Sequence, residues 1–323
     1  MTVITDTPPV FLQLLADRNG KPAGLVLDGG AAALPDEQMH ALAGQFPCFV
    51  RAGLEHAQAW LEAGWLALPG QMVRADTVFD KAALPAGVVL IEGNWPLAPP
   101  AKAVGAQAAS RALALQLVQL VSNDGDTHEI EALLRRDPTL SYHLLKLVNS
   151  LGMGSSRRVS SFAQAILILG RQQLRRWLNL MLFSAREGDI RSPMLLARVA
   201  VRAHALELLA RSTGLGKPQQ EQAFMVGMFS LLGVLFGMPL AEVLEPLTIS
   251  EAAQQALLGK PGEWGELGEL LALLEAAERG DFAAVAGRLE AVQLEAAEFN
   301  RVVADAHLWM LTVATDRAGG GHA

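Results

Sequence analysis

The stretch "AFMVGMFSLLGVLFGMPLA", residues 223–241, contains no charged side chain and is close to the length that crosses a bilayer. A membrane-spanning helix needs roughly 20 predominantly apolar residues. Pro239 ends the apolar run before that length, and Gly227 and Gly233 interrupt it. A helix that is apolar on every side and too short to span is typical of the centre of a large helical domain. The sequence therefore predicts a buried core helix over residues 223–238.

The overall composition is that of a globular chain. Of its 323 residues, 51% are hydrophobic and 18% are charged, which predicts about two domains with a substantial core. Residues 1–14 lack the basic start and long apolar run of a secretory signal, and the single Cys48 excludes an intrachain disulfide. Both features favour the cytoplasm and no membrane association. The formal net charge of −7 argues against nucleic acid as a partner.

Residues 1–100 have the mixed pattern of a small α/β module. The pair Asn19-Gly20 is a strong hairpin signal between two apolar runs. The segment "CFVRAGLEHAQAWLEAGW" (48–65) predicts a short strand followed by a helix that reaches the tryptophan at its end, and "VVLIEG" (88–93) predicts a further strand.

The prolines of "NWPLAPP" (94–100) indicate a linker, or the first turn of the next helix, between this module and the second half of the molecule. From residue 106 onward apolar positions recur every three to four residues, with Gly or Pro at the breaks. We therefore predict a mainly α chain, with an all-helical domain over 106–315 and a flexible tail over 316–323.

Several motifs in the helical part resemble one known family. They are Asp137-Pro138, "HLLKLVNS" (143–150), "SFAQAILILG" (161–170) and "LRRWLNLML" (174–182). Their succession resembles HDOD domains, the non-catalytic relatives of HD phosphohydrolases and HD-GYP phosphodiesterases. The later segments "AFMVGMFSLLGVL", "LAEVLEPLTIS", "ALLG" and "EAAERGDF" are similar to bacterial signalling proteins that join an EAL-type domain to a modified HD-GYP domain.

The first hundred residues resemble parts of an EAL domain. "VFLQLLADRNGKPAGLVL" (10–27) is similar to its first hairpin, and "FVRAGLEHAQAWLEAGWLALPGQ" (49–71) to its late strand and helix. An eight-stranded (β/α) barrel typically needs about 250 residues. The resemblance therefore implies a truncated, degenerate EAL-like segment that forms a compact α/β module.

The tripeptide "EAL" at 131–133 does not belong to the EAL-like segment, because it lies in a predicted helix of the other domain. Asp126 or Thr127 is expected to cap that helix, with Glu129 in its first turn. We interpret this tripeptide as chance helical sequence.

The resemblance also implies where an HD-type metal site would lie. The paired His-Asp falls on Ser230-Leu231, the upstream ligand histidine falls near Leu195, and the lysine of the HD pattern falls on Val234. Leucine is no metal ligand and a lone hydroxyl is a poor one. The resemblance thus implies that core packing has replaced the metal site, with no cofactor. The seven histidines are isolated from one another, and His204 is the one expected nearest to the former site.

A run of cations stands out in this acidic chain. Between residues 157 and 176 there are five arginines and no acid. They are Arg157, Arg158, Arg171, Arg175 and Arg176, with Trp177 next to the last. The run is either an ordinary solvated face or a docking patch for an acidic partner or phosphate groups, which arginine suits through its planar fork. The tryptophan is either a core residue or an interface anchor.

Two functions remain open from the sequence. The first is a non-enzymatic bacterial regulatory protein whose metal-free HDOD domain binds other signalling proteins, with homo-oligomerisation left open. The alternative is a phosphohydrolase or nucleotide-binding protein, related to cyclic di-GMP, with an unconventional site. The loss of ligand residues at Ser230-Leu231 and Leu195 favours the first.

Overall fold

The computed structural model describes most of the chain, with gaps in the middle. The described residues are 7–29, 33–99, 116–117, 119–120, 126–135, 176, 178, 180, 183, 189–247 and 249–314. Within these ranges, no helix is both long enough and apolar enough to cross a membrane.

A six-stranded mixed sheet occupies the first hundred residues. Its strands are β1 (Val10–Ala16), β2 (Pro22–Gly29), β3 (Cys48–Val50), β4 (Leu66–Ala67), β5 (Met72–Arg74) and β6 (Leu90–Glu92). The order across the sheet is β4-β3-β2-β1-β6-β5. β1 is antiparallel to both of its neighbours, and the remaining pairs are parallel.

The predicted hairpin is confirmed. β1 and β2 pair along their whole length, with Leu12 opposite Leu27. The turn is closed by a 2.8 Å hydrogen bond from the Asp17 N–H to the Lys21 carbonyl, and Gly20 has φ +75°, which favours glycine.

The sheet is curled because its two edge strands are consecutive in sequence. Only residues 68–71 connect β4 to β5, although these strands lie at opposite edges. Six strands about 4.8 Å apart would place flat edges about 24 Å apart. The connection reaches at most roughly 18 Å. Inside the curl, Leu68 and Met72 pack against a small apolar cluster. That cluster consists of Leu15, Val26, Phe49 and Leu90.

Two helices accompany the sheet, α1 (Glu37–Ala43) and α2 (Ala57–Glu62), together with short 3-10 turns at Lys81–Ala83 and Trp95–Leu97. The helix predicted to reach Trp65 ends earlier, because Gly64 takes a φ of +88°. The Trp65 ring then packs edge-on against Trp60, with 4.7 Å between centroids. β4, β5 and α1 were not predicted.

The rest of the described chain is helical. Its helices are α3 (Thr127–Arg135), α4 (Ser192–Ser212), α5 (Lys217–Phe229), α6 (Leu232–Phe236), α7 (Leu240–Leu244), α8 (Glu251–Leu258), α9 (Gly265–Glu278), α10 (Phe282–Ala291) and α11 (Ala296–Ala314). The "EAL" tripeptide lies inside α3 as predicted, and the Asp126 carboxylate accepts a 2.8 Å hydrogen bond from the His128 N–H at the start of that helix. The prediction of a mainly α chain is correct in part, since the six-stranded sheet is a substantial second component.

The predicted core helix over 223–238 is two helices. α5 ends at Phe229, Leu231 has φ −102° and ψ 1°, and α6 begins at the next residue. Gly237 ends α6 with φ +63°. The predicted burial is confirmed for the apolar side chains on both sides of the break. They include Phe224, Phe229, Leu231, Leu235 and Phe236.

The hydrophobic core runs without interruption from the sheet into the helices. Phe11 and Leu12 of β1 belong to the same buried cluster as Phe299 and Val303 of α11. The predicted domain boundary between residues 100 and 106 lies outside the described residues, as does the predicted tail. On either side of that gap, the sheet and the helices share one core.

Candidate functional site

A buried ion pair lies at the centre of the helical part. Arg202, in the middle of α4, has 6% of its side chain exposed. Its Nε donates a 2.9 Å hydrogen bond to Glu278 Oε1, and its Nη2 donates a short one to Glu278 Oε2. Glu278 is the last residue of α9. The guanidinium and the carboxylate therefore form a two-point contact, which fixes the orientation of both groups.

The other side of the Arg202 guanidinium faces the break between α5 and α6. Arg202 Nη1 donates a 2.8 Å hydrogen bond to Ser230 Oγ, and the Ser230 hydroxyl donates a 2.7 Å bond to the Gly227 carbonyl. Glu275 Oε1 lies 3.4 Å from the same Nη1. We call Arg202, Ser230, Glu275 and Glu278 the Arg202 cluster.

The close approach of α4 and α5 depends on Gly227. A Cβ atom at this position would lie 2.7 Å from Ala203 Cα and 2.8 Å from the Arg202 carbonyl oxygen. Contacts of that length are too short for a side chain, so glycine lets the end of α5 bring the Ser230 hydroxyl to Arg202.

The electrostatics keep the ion pair charged. Burial alone raises the pKa of Glu278, but the charge and hydrogen bonds of Arg202 outweigh it and leave that pKa below its usual range. Burial lowers the pKa of Arg202, and Glu278 more than compensates, so its pKa lies above the ordinary value. Removing one partner of such a pair typically costs about 3–5 kcal/mol, because the other charge stays buried without compensation.

A second arginine joins this region to the sheet. Arg198 lies one turn before Arg202 on α4, and its Nη2 donates a 3.1 Å hydrogen bond to the Gly93 carbonyl just after β6. Arg198, Glu278 and His307 line a cavity of about 20 Å³ against residues 11–14 of β1. A cavity of this size holds about one water molecule.

Apolar side chains occupy three of the four positions that the HD resemblance assigns to metal ligands and lysine. Leu195 is fully buried and Leu231 is 3% exposed, while Val234 is a partly buried apolar residue. Only Ser230 contributes a polar atom, and that atom contacts Arg202. The sequence singled out Ser230 but missed Arg202, although an arginine in the apolar run "VAVRA" (199–203) was a signal that a buried anion would face it.

Of the predicted docking residues, the structure describes Arg176. It makes a two-point ion pair with Glu207, with distances of 2.6 and 3.0 Å, and its guanidinium lies 4.5 Å from the centre of the Phe224 ring. Only 17% of its side chain is exposed. The remaining members lie outside the described residues, and their role as a docking patch stays a prediction. They are Arg157, Arg158, Arg171, Arg175 and Trp177.

Two histidines lie in the helical core region. His204 is half-buried, with Nδ1 3.2 Å from Glu207 Oε2 and its ring centroid 4.7 Å from that of Trp309. His307 is 1% exposed. In the part of the chain that the structure describes, no three His, Cys, Asp or Glu residues are grouped so that they could hold a metal ion.

Comparisons with known proteins support the family resemblance. Residues 109–257 match the family model of the HDOD domain. "Uncharacterized protein YuxH" of Bacillus subtilis is 30% identical over 161 residues, which are 49% of this chain and 39% of that protein. "Cyclic di-GMP phosphodiesterase CdgJ" of Vibrio cholerae is 33% identical over 175 residues, 54% of this chain and 39% of that protein. The chain thus spans about two fifths of the length of these relatives.

A solved structure from Shewanella amazonensis named "Putative phosphohydrolase" overlaps 63% of this chain and 92% of its own, with a TM-score of 0.46 and 16% sequence identity. This likeness is too low to support a conclusion about function.

The Vibrio cholerae relative corrects the first of the two functions expected from the sequence. A non-enzymatic protein-interaction module was favoured there, but a relative that matches 54% of the chain is named a cyclic di-GMP phosphodiesterase. That name favours the alternative, a phosphohydrolase or nucleotide-binding protein. The loss of metal ligands at Leu195 and Leu231 does not exclude a polar site at this place, because Ser230 and Arg202 meet there.

The EAL-like character of the first hundred residues stays a prediction, since the family match begins at residue 109. Three observations point to the same family for the helical part of the chain. They are the order of the motifs between residues 137 and 182, the helices of the described residues, and the family match. The chain contains an HDOD domain, matched over residues 109–257.

Proposed function

We propose that this chain is a nucleotide-binding protein that takes cyclic di-GMP or a closely related phosphodiester at the Arg202 cluster. The observation that carries the proposal is the match, at 33% identity, to a relative named a cyclic di-GMP phosphodiesterase. The cluster is chosen because its Ser230 stands where the resemblance places the His-Asp pair of an HD enzyme.

The chemistry of the cluster suits an anionic phosphodiester. A cyclic dinucleotide carries one negative charge on each of its two phosphodiester groups, so its site needs a cation and hydrogen-bond donors. Arg202 Nη1 supplies both the positive charge and a donor, and Ser230 Oγ, which accepts a 2.8 Å hydrogen bond from Nη1, helps to hold that donor in place. Glu278 holds the opposite edge of the guanidinium, so the donor is oriented before the ligand arrives, which reduces the cost of binding.

Hydrolysis also requires a general base, and the residues of the Arg202 cluster provide only a weak one. Attack on phosphorus needs a group that activates water, and a general base works best when its pKa is near the working pH. Arg202 holds the pKa of Glu278 below its usual range, which makes this carboxylate a weak base. We therefore expect binding with little or no turnover, and the name of the Vibrio cholerae relative makes turnover the second candidate.

The test is calorimetric titration of the purified chain with cyclic di-GMP. We expect saturable binding that weakens as salt is raised, because a charge pair is screened. Ser230→Ala should weaken binding roughly tenfold or more, since the bond that holds Arg202 Nη1 in place is lost and a hydrogen bond to a charged group is worth about 1.5–3 kcal/mol. Chromatography of the same mixtures measures any linear product and so decides between binding and turnover.

The matched control is Ser212→Ala. The Ser212 hydroxyl likewise makes a hydrogen bond with a charged side chain, donating to Glu298 Oε1 at 2.8 Å, but it lies at the end of α4, ten residues from Arg202. Its loss should leave the affinity for cyclic di-GMP unchanged. Absence of binding in the parent, or equal affinity in the parent and Ser230→Ala, would overturn the assignment of this site.

A further inference from the structure

The two acids that face Arg202 are held very differently. Glu278 contacts Arg202 at two points, and its backbone carbonyl also accepts a 3.0 Å hydrogen bond from Gln13 Nε2 of β1. Its side chain is 15% exposed. Glu275, one turn earlier on α9, reaches Arg202 Nη1 at 3.4 Å and has 37% of its side chain exposed. A separation of 3.4 Å is at the weak limit for a hydrogen bond.

The N–H groups of Arg202 show which of its partners is held firmly and which loosely. A guanidinium has five N–H groups in a fixed fork. Nε and Nη2 are directed at Glu278, and one N–H of Nη1 at Ser230. The contact with Glu275 covers the remaining side of Nη1. Of these contacts, the one between Nη1 and Glu275 is the longest, so Glu275 is the most loosely held partner of Arg202.

We propose that Glu275 is a displaceable cover of Arg202, and that a phosphodiester oxygen takes its place on Nη1 when the ligand binds. This inference rests on the proposed function. A phosphodiester and Glu275 both carry negative charge, so they cannot share this donor without repulsion. Because Glu275 is more than a third exposed, its carboxylate can rotate into water at little cost, whereas Glu278 cannot leave without abandoning a buried cation.

The role assigned to Glu275 makes it a determinant of affinity rather than of folding. Replacing it with glutamine keeps the size of the side chain and removes the competing charge. We expect Glu275→Gln to bind cyclic di-GMP roughly fivefold more tightly than the parent, in line with the small energies of partly exposed charge pairs. Its melting temperature should stay within a degree or two of the parent, because exposed ion pairs contribute little to stability.

The matched control removes a charge from the same helix at a distance from the cluster. Glu266 lies in the first turn of α9 and is exposed. Glu266→Gln should bind cyclic di-GMP with the affinity of the parent. Glu278→Gln should act in the opposite direction from Glu275→Gln, weakening binding and lowering the melting temperature, because Arg202 then loses its two-point anchor.

The experiment is calorimetric titration of cyclic di-GMP into the parent and the three variants, with thermal melting of each. Tighter binding by Glu275→Gln alone supports the inference, and Glu275→Ala should reproduce it if the glutamine variant folds poorly. Binding by the parent with no gain in either Glu275 variant overturns the inference and leaves the proposed function standing. An equal gain in Glu266→Gln overturns it too, since net charge would explain the effect. If neither the parent nor any variant binds, the proposed function and this inference both fall.

Discussion

His307 of α11 and Leu12 of β1 are joined by a 2.9 Å contact between the imidazole Nε2 and the Leu12 carbonyl oxygen. The other ring nitrogen, Nδ1, lies 2.7 Å from the Val303 carbonyl one turn earlier on α11. The ring also packs edge-on against Phe11, with 5.7 Å between centroids. A single imidazole thus links the last described helix to the first strand inside the shared core.

The burial of His307 predicts acid sensitivity. Burial lowers the pKa of His307 to about 4, although the two carbonyls and Glu278 act to raise it. A histidine in the unfolded chain titrates near pH 6.5. Between these values the unfolded state binds a proton that the native state does not, so the free energy of unfolding falls as the pH falls. We expect a loss of roughly 2 kcal/mol between pH 7 and pH 5, measured by urea denaturation.

The variant His307→Gln provides the control, because glutamine does not titrate. It should be less stable than the parent at pH 7 but show a flatter profile between pH 6.5 and 5. Carboxylates with lowered pKa values, such as Glu278 and Glu207, lose their contribution only below about pH 4.5, so they do not enter this window. A parent profile that is flat from pH 7 to pH 5 would contradict the prediction.

Asn300 forms a second polar link between α11 and the start of the sheet. Its Oδ1 accepts a 2.8 Å hydrogen bond from the Val10 N–H, and its Nδ2 donates a 3.0 Å bond to the Pro8 carbonyl. Asn300→Ala leaves both backbone groups without these partners, which should lower the free energy of unfolding by about 2–4 kcal/mol. Asn94→Ala, at an exposed position, should cost less than about 0.5 kcal/mol. If both variants lose the same free energy of unfolding, burial of the asparagine does not determine the size of the loss.

How much of this arrangement the sequence predicts depends on how local its cause is. The hairpin follows from Asn19-Gly20 and the apolar runs beside it, which act within a few residues. β4 and β5 are short strands defined by pairing with distant partners, and Leu66 is 52% exposed, so no periodic pattern marks them. The predicted core helix is broken at Leu231 because tertiary packing decides its path there.

The residues of the candidate site are hard to predict for the same reason, because they come from distant parts of the chain. Family resemblance leads to Ser230, but the guanidinium that meets it comes from another helix, and Arg202 and Glu278 are 76 residues apart. No spacing rule connects such residues. An arginine in an apolar run of a helix, such as Arg202 in "VAVRA" (199–203), indicates only that some anion must be near. The packing of α4 against α9 determines that the anion is Glu278 and that Glu275 also faces the arginine.

Replacement by alanine should have opposite effects on stability at two glycines, because one lies at the contact between α4 and α5 and the other lies in open space. Gly227→Ala would place a Cβ 2.7 Å from Ala203 Cα, so the helices must separate, and we expect a loss of about 2 kcal/mol or more. Gly287 lies inside α10, and a Cβ there meets nothing within 4 Å. Gly287→Ala should therefore stabilise the chain by about 0.5–1 kcal/mol. Thermal and urea denaturation of both variants measure the contrast, and a tolerated Gly227→Ala would show that α5 can shift freely.

The break between α5 and α6 provides the last prediction. Leu231 is 3% exposed, and its neighbour Ser230 belongs to the Arg202 cluster. In Leu231→Asp, an unpaired carboxylate in an apolar interior costs several kcal/mol, a large share of the roughly 5–15 kcal/mol that stabilises a typical domain. We expect this variant to unfold, or to melt far below the parent, rather than to regain a metal site.

Leu258→Asp is the matched control for Leu231→Asp, because it makes the same change at the end of α8, where the side chain is 39% exposed. A carboxylate there stays in water, so the melting temperature should change little. The comparison is made by thermal melting followed by circular dichroism, with and without added Mn²⁺. If Leu231→Asp keeps the melting temperature of the parent, position 231 faces water or a wet cavity. If Mn²⁺ stabilises that variant and not Leu258→Asp, the space around Ser230 can still hold a metal ion, and core packing has not replaced the former site.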